Sequence, residues 1–299
     1  MTMQDIDWNA LKIFGKVVET GNFSHAGKAF GISQPTISRA IEGLEEKLGY
    51  QLFTRTTKGL VVSDAAKELA QYTRAMGINC ETFTRVASAM GNEIKGTIRI
   101  STSEIVGIYI LPELLKKIGK KYDGLDFEII ASDEISDLTE READIAIRMA
   151  KPTQNALLAQ KIGEIAIGAY ANEKYFESNE MPENIDDLTR HDMIFYDALS
   201  PFLIPFTQEF PIIESAHFKY RAASPAVQLS LILRGVGIGF CQAGIANEYG
   251  LKRILKDEIN IKIPAYIAMH ENLKNQKRYI TIFRELANEL RDYINGIKL

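Results

Sequence analysis

Ser33-Gln34-Pro35-Thr36-Ile37-Ser38-Arg39-Ala40-Ile41-Glu42-Gly43-Leu44-Glu45-Glu46-Lys47-Leu48-Gly49 decides how this chain is read. Ile37, Ile41, Leu44 and Leu48 recur at steps of four, three and four, which places them on one stripe of an α-helix. Ser33 stands just ahead as an N-cap, where its side-chain oxygen accepts from an unpaired helix amide. Pro35, Thr36, Ser38, Arg39 and Glu42 fall off the stripe, so the free face is small and polar. A helix entering the DNA major groove needs such a face. Hydroxyls, amides and an Arg fork meet base edges and phosphates there, whereas bulky apolar groups would hold the helix out. Ser33, Gln34, Pro35, Thr36, Ser38 and Arg39 are therefore its candidate DNA-binding residues. An ordinary amphipathic surface helix would show the same pattern, and the flanking residues decide between the two.

Upstream, Asp7 caps a helix in which Trp8, Leu11, Phe14, Val17 and Val18 recur at helical spacing until Gly21 stops it. Ser24 is expected to cap a short helix, His25 to Phe30, and Gly31-Ile32 to turn the chain into the helix at Ser33. Two helices joined by a tight turn containing Gly form a helix-turn-helix. Downstream, Leu52 to Arg55 and Leu60 to Val62 flank Thr57-Lys58-Gly59 as a short hairpin, a cationic wing beside the helix. Its Arg55 and Lys58 are positioned to reach phosphates or the minor groove, the alternative being two solvated surface charges.

Ser63 and Asp64 then open a long helix. Ala66, Leu69, Thr73, Met76, Cys80, Phe83, Ala87 and Met90 alternate in steps of three and four, a heptad seam. At about 28 residues this helix would be ~42 Å long, and its seam needs a partner. A homodimer joined through Leu69, Thr73, Met76, Cys80 and Phe83 meets that need, with packing against the chain's own second domain as the alternative.

Bulk properties set the outer bounds. A chain of 299 residues exceeds one ordinary core and favours two or three modules. It has no apolar run near the ~20 residues of a membrane helix, and no secretory leader opens it, so the expected compartment is the cytoplasm and no membrane is involved. Cys80 and Cys241 are far apart and outside any CxxC, and His25, His191, His217 and His270 show no metal-ligand spacing, so neither a metal nor a cofactor is expected. Net charge is −4, but Met1 to Val62 carries seven cations (12, 16, 28, 39, 47, 55, 58) against six acids (5, 7, 19, 42, 45, 46). Local placement counts for more than the total in phosphate contact.

From Gly96 short β-rich runs alternate with helical stretches, the signature of βαβ units and a mostly parallel sheet. Thr97 to Ser101, Asp126 to Ala131, Asp144 to Arg148, Ile165 to Ala169, Met193 to Tyr196, Phe218 to Ala222, Gly237 to Cys241 and Ala265 to His270 read as strands. A helix runs from Ser103 towards Lys120, and a final amphipathic one spans Gln276 to Tyr293. Ser101, Thr102 and Ser103 place hydroxyls and free amides at a strand-to-helix junction, which suits a polar or anionic ligand. Ser132, Arg148 and Ser224, the last before Pro225 at a second helix start, complete the candidate effector-binding set. Plain N-capping is the alternative for the serines, and an Asp partner for Arg148. Two motifs mislead. Gly235-Val236-Gly237-Ile238-Gly239 follows a helix and lacks the last glycine of a nucleotide loop, and Gly239-Phe240-Cys241-Gln242-Ala243 lacks the second glycine of a nucleophile elbow.

Phe14, Gly21 to Ser24, Ala26, Ser33 to Ser38, Leu44 to Gly49 and Leu52 to Arg55 together resemble the N-terminal domain of LysR-type transcriptional regulators. The resemblance extends more loosely over the rest of the chain. It implies an α/β protein with an N-terminal winged helix-turn-helix (1–62), a long dimerising linker helix (63–91) and a two-lobed, periplasmic-binding-protein-like effector domain (92–299). Lobe I would hold 92–164 and 265–299, and lobe II 165–264, with the effector in the cleft between them. The implied function is a bacterial regulator, not an enzyme, that binds a small polar or anionic effector and alters transcription from a dyad-symmetric operator on double-stranded DNA. Its partners would be DNA, the effector and further copies of itself, as a homodimer or homotetramer, with RNA polymerase a further candidate. A ligand-free structural C-terminal domain, a cytoplasmic receptor and an enzyme using Cys241 are the competing readings. Two residues depart from the family pattern: Gly27 stands where Ala is usual and Gly43 where a larger residue is common, and each lowers helix propensity by up to ~1 kcal/mol.

Overall fold

The computed structural model describes residues 6–56, 59–88, 93–133, 143–152, 157–198 and 218–296, and it divides into two compact units, Met1–Arg85 and Val86–Leu299. In the first unit, α1 (Trp8–Thr20) is capped by Asp7, whose carboxylate accepts from the Asn9 amide at 3.1 Å. α2 (Phe23–Phe30) starts earlier than expected. The Asn22 side chain, not Ser24, accepts from the Ser24 and His25 amides, at 2.8 and 3.2 Å, so Ser24 lies inside the helix. Asn22 reaches both donors because it precedes the first turn. α3 (Gln34–Leu48) follows a turn in which Gly31 takes the left-handed conformation (φ 66°).

β1 (Phe53–Thr56) and β2 (Gly59–Val62) pair antiparallel from Phe53↔Val62 to Thr56↔Gly59, and α4 (Asp64–Ser88) leaves the hairpin with the Ala66 amide bonded to Ser63 Oγ. Phe14, Val17, Ala26, Ile37, Ile41, Leu44, Leu52, Phe53 and Ala66 close into one buried cluster, the stripe of α3 at its centre. Each of its large side chains contributes about 1.5–3 kcal/mol on burial. Phe53 anchors the hairpin, its ring 5.8 Å from that of Phe14 and 5.9 Å from that of Phe23.

In the second unit β3 (Gly96–Thr102), α5 (Leu111–Lys121), β4 (Leu125–Ala131), β5 (Ile145–Arg148), β6 (Leu157–Ala171) and β7 (Met193–Phe195) come first. Then follow β8 (Phe218–Arg221), α6 (Pro225–Leu233), β9 (Gly239–Gln242), α7 (Ala243–Glu248), β10 (Lys252–Ile254), β11 (Ile261–His270) and α8 (Lys277–Gly296). A π turn, Val106–Ile110, leads into α5. The main sheet runs β10-β6-β11-β5-β3-β4, with β9 also paired to β6. Within it only β4, β3 and β5 are mutually parallel, so the expectation of a mostly parallel sheet holds for that part alone. β11 returns after the whole of the intervening fold and lies antiparallel to both β5 and β6. β7 and β8 form a separate parallel pair that a Met193↔Ile238 bridge joins to the segment entering β9. Gly237 permits that junction, since a Cβ there would lie 2.2 Å from the Asp192 carbonyl oxygen. None of the described helices is long and apolar enough to cross a membrane.

The two glycines that depart from the family pattern act differently. A Cβ on Gly27 would lie 2.7 Å from the Ile32 carbonyl oxygen, so the tight approach of α2 to the turn requires glycine, whereas a Cβ on Gly43 would meet nothing within 4 Å. Gly27→Ala is expected to destabilise the first unit by about 1–3 kcal/mol through overpacking, and Gly43→Ala to stabilise it by up to ~1 kcal/mol. Hydrogen exchange of the α2 and α3 amides in the full chain measures both, and protection moving the same way in the two variants would refute the distinction.

Candidate nucleic-acid interface and effector cleft

The buried stripe of α3 forces its other side outward. Ile37, Ile41 and Leu44 are buried, Ser33, Pro35, Thr36 and Arg39 are exposed, and Gln34 and Ser38 are half-buried. Ser33 Oγ accepts from the Thr36 amide at 3.4 Å and shares a 2.8 Å hydrogen bond with Thr36 Oγ1, which leaves a hydroxyl pair at the positive end of the helix. Glu42, exposed and accepting from Ser38 Oγ at 3.0 Å, shares this face, although it is not among the expected DNA-binding residues. Its spacing of three from Arg39 and seven from Pro35 is the signal that places it there. Arg55 stands on β1 opposite Leu60. Lys58 lies outside the described residues.

Along α4, Leu69, Thr73 and Met76 are half-buried while Cys80 and Phe83 are exposed. Phe83 retains 75% of its accessible surface and Tyr72 60%, so the helix carries large apolar groups in water. Thr73 lies against α1, where a Cβ on Gly15 would come within 2.8 Å of its Oγ1. Met90 lies outside the described residues.

Ser101 and Thr102 end β3, both buried. Arg148 ends the adjacent β5, and its Nη2 donates to Ser101 Oγ at 2.6 Å. The Thr102 hydroxyl has no hydrogen-bond partner among the described residues, and the Ser132 amide donates to the Thr102 carbonyl at 2.9 Å. Ser103, half-buried, uses its carbonyl to accept from the Gly107 amide at 2.9 Å. Across the opening, Ser224 caps α6 by accepting from the Val227 amide at 3.3 Å, and its own hydroxyl donates to Glu104 Oε2. Glu104, Ala131, Ser132, Asp133, Ala223 and Ser224 line an open cavity of about 450 Å³. Of the candidate residues the fold thus joins Ser101 directly to Arg148, and brings Ser132 and Ser224 to one cavity.

Glu104 and Asp133 are not legible from the sequence, since acids in a polar stretch give no periodic signal. Burial pulls the Arg148 guanidinium below its ordinary value, opposed by the charge of Asp133. Burial raises the Asp133 carboxyl, opposed first by the Glu104 amide that it accepts from at 3.3 Å. The Tyr196 hydroxyl is pushed up to about 12 by burial, with Asp133 adding to the rise. The cavity and its surroundings therefore offer both signs of charge together with hydroxyls. Among the described residues, no group of three His, Cys, Asp or Glu could hold a metal ion.

Cys241 is buried on β9, and desolvation pushes its thiol up to about 12. A nucleophile must be a thiolate, so the burial of this cysteine works against its use as one. Mass spectrometry after maleimide treatment at about pH 8, below that raised value and near the ordinary thiol range, is expected to find Cys241 unlabelled in the native protein and labelled after urea unfolding. Rapid native labelling would overturn the assignment.

Residues 8–67 match the bacterial regulatory helix-turn-helix protein family of lysR type, and residues 91–291 match the LysR substrate binding domain. The chain is 29% identical over 234 residues to the HTH-type transcriptional regulator CrgA of Neisseria meningitidis, covering 76% of this chain and 77% of the relative. It is 25% identical over 289 residues to the HTH-type transcriptional regulator YvbU of Bacillus subtilis, covering 94% and 97%. Its fold is similar to full-length CbnR complexed with its target DNA, with a TM-score of 0.68 at 16% identity over 98% of this chain and 100% of that one. With both halves of the chain matched in order, this protein belongs to the LysR family of transcriptional regulators.

Proposed function

We propose that the protein binds a dyad-symmetric operator as a homodimer or a dimer of dimers, and changes transcription when a small polar effector enters the cleft of its second unit. The observation that carries the reading is the outward face of α3, where a buried Ile37-Ile41-Leu44 stripe turns Pro35, Thr36 and Arg39 to solvent. In the bound state the N-terminal residues of α3 enter the major groove, Arg39 and Gln34 meet base edges or phosphates, and Arg55 and Lys58 of the wing take flanking phosphates. Two heads related by a two-fold axis give the operator its symmetry. The seam Leu69, Thr73, Met76, Cys80 and Phe83 of α4 joins the copies through its outer part, a role supported by the exposure of Cys80 and Phe83, while Leu69 and Thr73 also pack against the first unit itself.

The effector lies among Ser101, Thr102, Ser103, Ser132, Arg148 and Ser224. Lobe I comprises 92–164 and 265–299 and lobe II 165–264, a division supported by the register shift of the β6–β11 pair between Ala265 and Tyr266. Because the region holds the Arg148 guanidinium together with the carboxylates of Glu104 and Asp133, a ligand with both an acceptor end and a donor or cationic end fits better than a simple anion. Effector binding shifts the population between two cleft arrangements and so the geometry of the DNA-binding heads. The protein acts as a regulator rather than as an enzyme.

Footprinting the full chain on DNA upstream of its own gene tests the operator reading, with protection of a dyad-symmetric site of more than one helical turn as the expected result. Arg39→Ala is expected to weaken operator binding by about 1–3 kcal/mol, measured by fluorescence anisotropy at two salt concentrations, and affinity equal to wild type at both would remove Arg39 from the interface. Thr102→Ala and Ser103→Ala are expected to reduce the effector response while leaving DNA affinity intact. An unchanged effector titration in both variants would place the ligand elsewhere.

A further inference from the structure

Glu45 lies one turn before the end of α3, and its carboxylate does not face solvent alone. Oε1 accepts from the Leu52 amide at 2.7 Å and from the Phe53 amide at 3.0 Å. These are the amides with which the chain enters β1, after α3 ends at Leu48 and the path reverses through Gly49. Among the described strands β1 pairs only with β2, so the sheet itself does not tie the first residues of the hairpin to the recognition helix. Around this link the fold is tight. Leu52 and Phe53 are buried, Phe53 packs against Phe14 and Phe23, and the Ser63 amide donates to the Leu52 carbonyl at 3.0 Å. Arg55 stands two residues beyond the second of the two amides, on the same strand.

We infer that Glu45 is a positioning residue for DNA binding: by accepting both amides it locks the wing to α3, so that helix and wing meet the duplex as one rigid body. The inference rests on the DNA-binding reading above and adds a residue that touches no DNA. A carboxylate near DNA ordinarily repels phosphate, and here its charge is engaged by amide protons within the head. The geometry also explains why an acid is tolerated beside a groove-facing surface. Glu45 lies between the buried stripe and the exposed face, half-buried, next to Ser38 and Glu42 in the same small indentation. An alanine here would leave two strand amides unpaired and the hairpin free to move against the helix.

The test uses full-length protein and the duplex that it retains most tightly from a random DNA pool. Glu45→Ala is expected to lose hydroxyl-radical protection of the backbone flanking each half-site, where the wing lies, and to keep protection of guanine N7 from methylation within the half-site, where α3 lies. The slope of log affinity against log salt should fall by about 0.9 for each phosphate that the wing no longer neutralises. Glu45→Gln keeps a carbonyl acceptor at the same place and is expected to restore most of the flanking protection. Parallel disappearance of both protections, with no rescue by Gln, would show a merely structural role and overturn the inference, as would flanking protection unchanged in Glu45→Ala. Absence of any protection by the wild-type chain is a separate outcome, which removes the DNA-binding reading and this inference with it.

Discussion

The second unit depends on one pair of strands. β6 and β11 lie antiparallel from Ile167↔Ile261 to Leu157↔His270, and the pairing continues on both sides of the register shift near Ala265 and Tyr266. On its other edge β11 carries β5, and through it β3 and β4, while β6 carries β9 and β10. The irregularity skips Ile162, whose side chain turns into the core instead of pairing. A bulge of this kind bends a strand and raises its twist, so it marks the place where the direction of the sheet changes. α8 closes down on the same point: a Cβ on Gly163 would meet Ile294 at 3.2 Å. The core also runs without interruption through Ile162, Ala166 and Tyr170 of β6, from Ile98 and Ile145 on one side to Cys241 and Ile245 on the other. The two halves of the sheet are therefore joined by a packed seam and not by bare linkers.

That seam leaves the far side of the junction to polar and ring contacts. Glu104 reaches Ser224 across 120 residues of chain, and the Tyr109 ring meets that of Tyr249 edge-on at 5.9 Å. Both join residues near the β3–α5 junction to the helical segments that follow β8 and β9. An apolar seam on one side and single hydrogen bonds or ring contacts on the other are unequal in strength. The polar side is the weaker, since one hydrogen bond to a carboxylate contributes about 1.5–3 kcal/mol whereas the seam sums many buried side chains. A ligand able to satisfy Glu104 and the Ser224 hydroxyl in place of each other competes with an interaction of that modest size.

Much of the first unit is legible because its information is local. The Ile37-Ile41-Leu44 stripe, the Ser33 cap and the Gly31 turn are each set within a few residues, and all three stand in the structure. The misplaced cap at Ser24 comes from two nearby capping residues, of which the structure uses Asn22, so that Phe23 packs on Phe53 from inside the helix. In the second unit strands are visible where apolar residues cluster, so Ile165 to Ala169 stands out while the first part of β6 does not. Residues 158–161 are exposed, and Gln160 and Lys161 carry no apolar signal because that part of the strand lies at a solvated face. The acids of the cleft and the Glu45 link are invisible for a different reason. Each depends on a contact between elements, and neither residue type nor spacing encodes it.

Seven cations against six acids in the head look insufficient for binding a polyanion, yet several of the acids are already engaged. Asp7 caps α1, Glu19 pairs with Lys16, Glu42 accepts from Ser38 and Glu45 accepts from two amides. Their fields are compensated locally, and the exposed Arg39 stands on the face that the buried stripe turns outward. Sparse cations imply few phosphate contacts and hence a shallow dependence of affinity on salt. Such a head gains little from non-specific attraction. It has to obtain its affinity from shape and base contacts, to which the proposed pairing with a second head would add a high effective concentration. In the proposed homodimer, a weakly charged helix-turn-helix and a long helix carrying an apolar seam are therefore two parts of one solution.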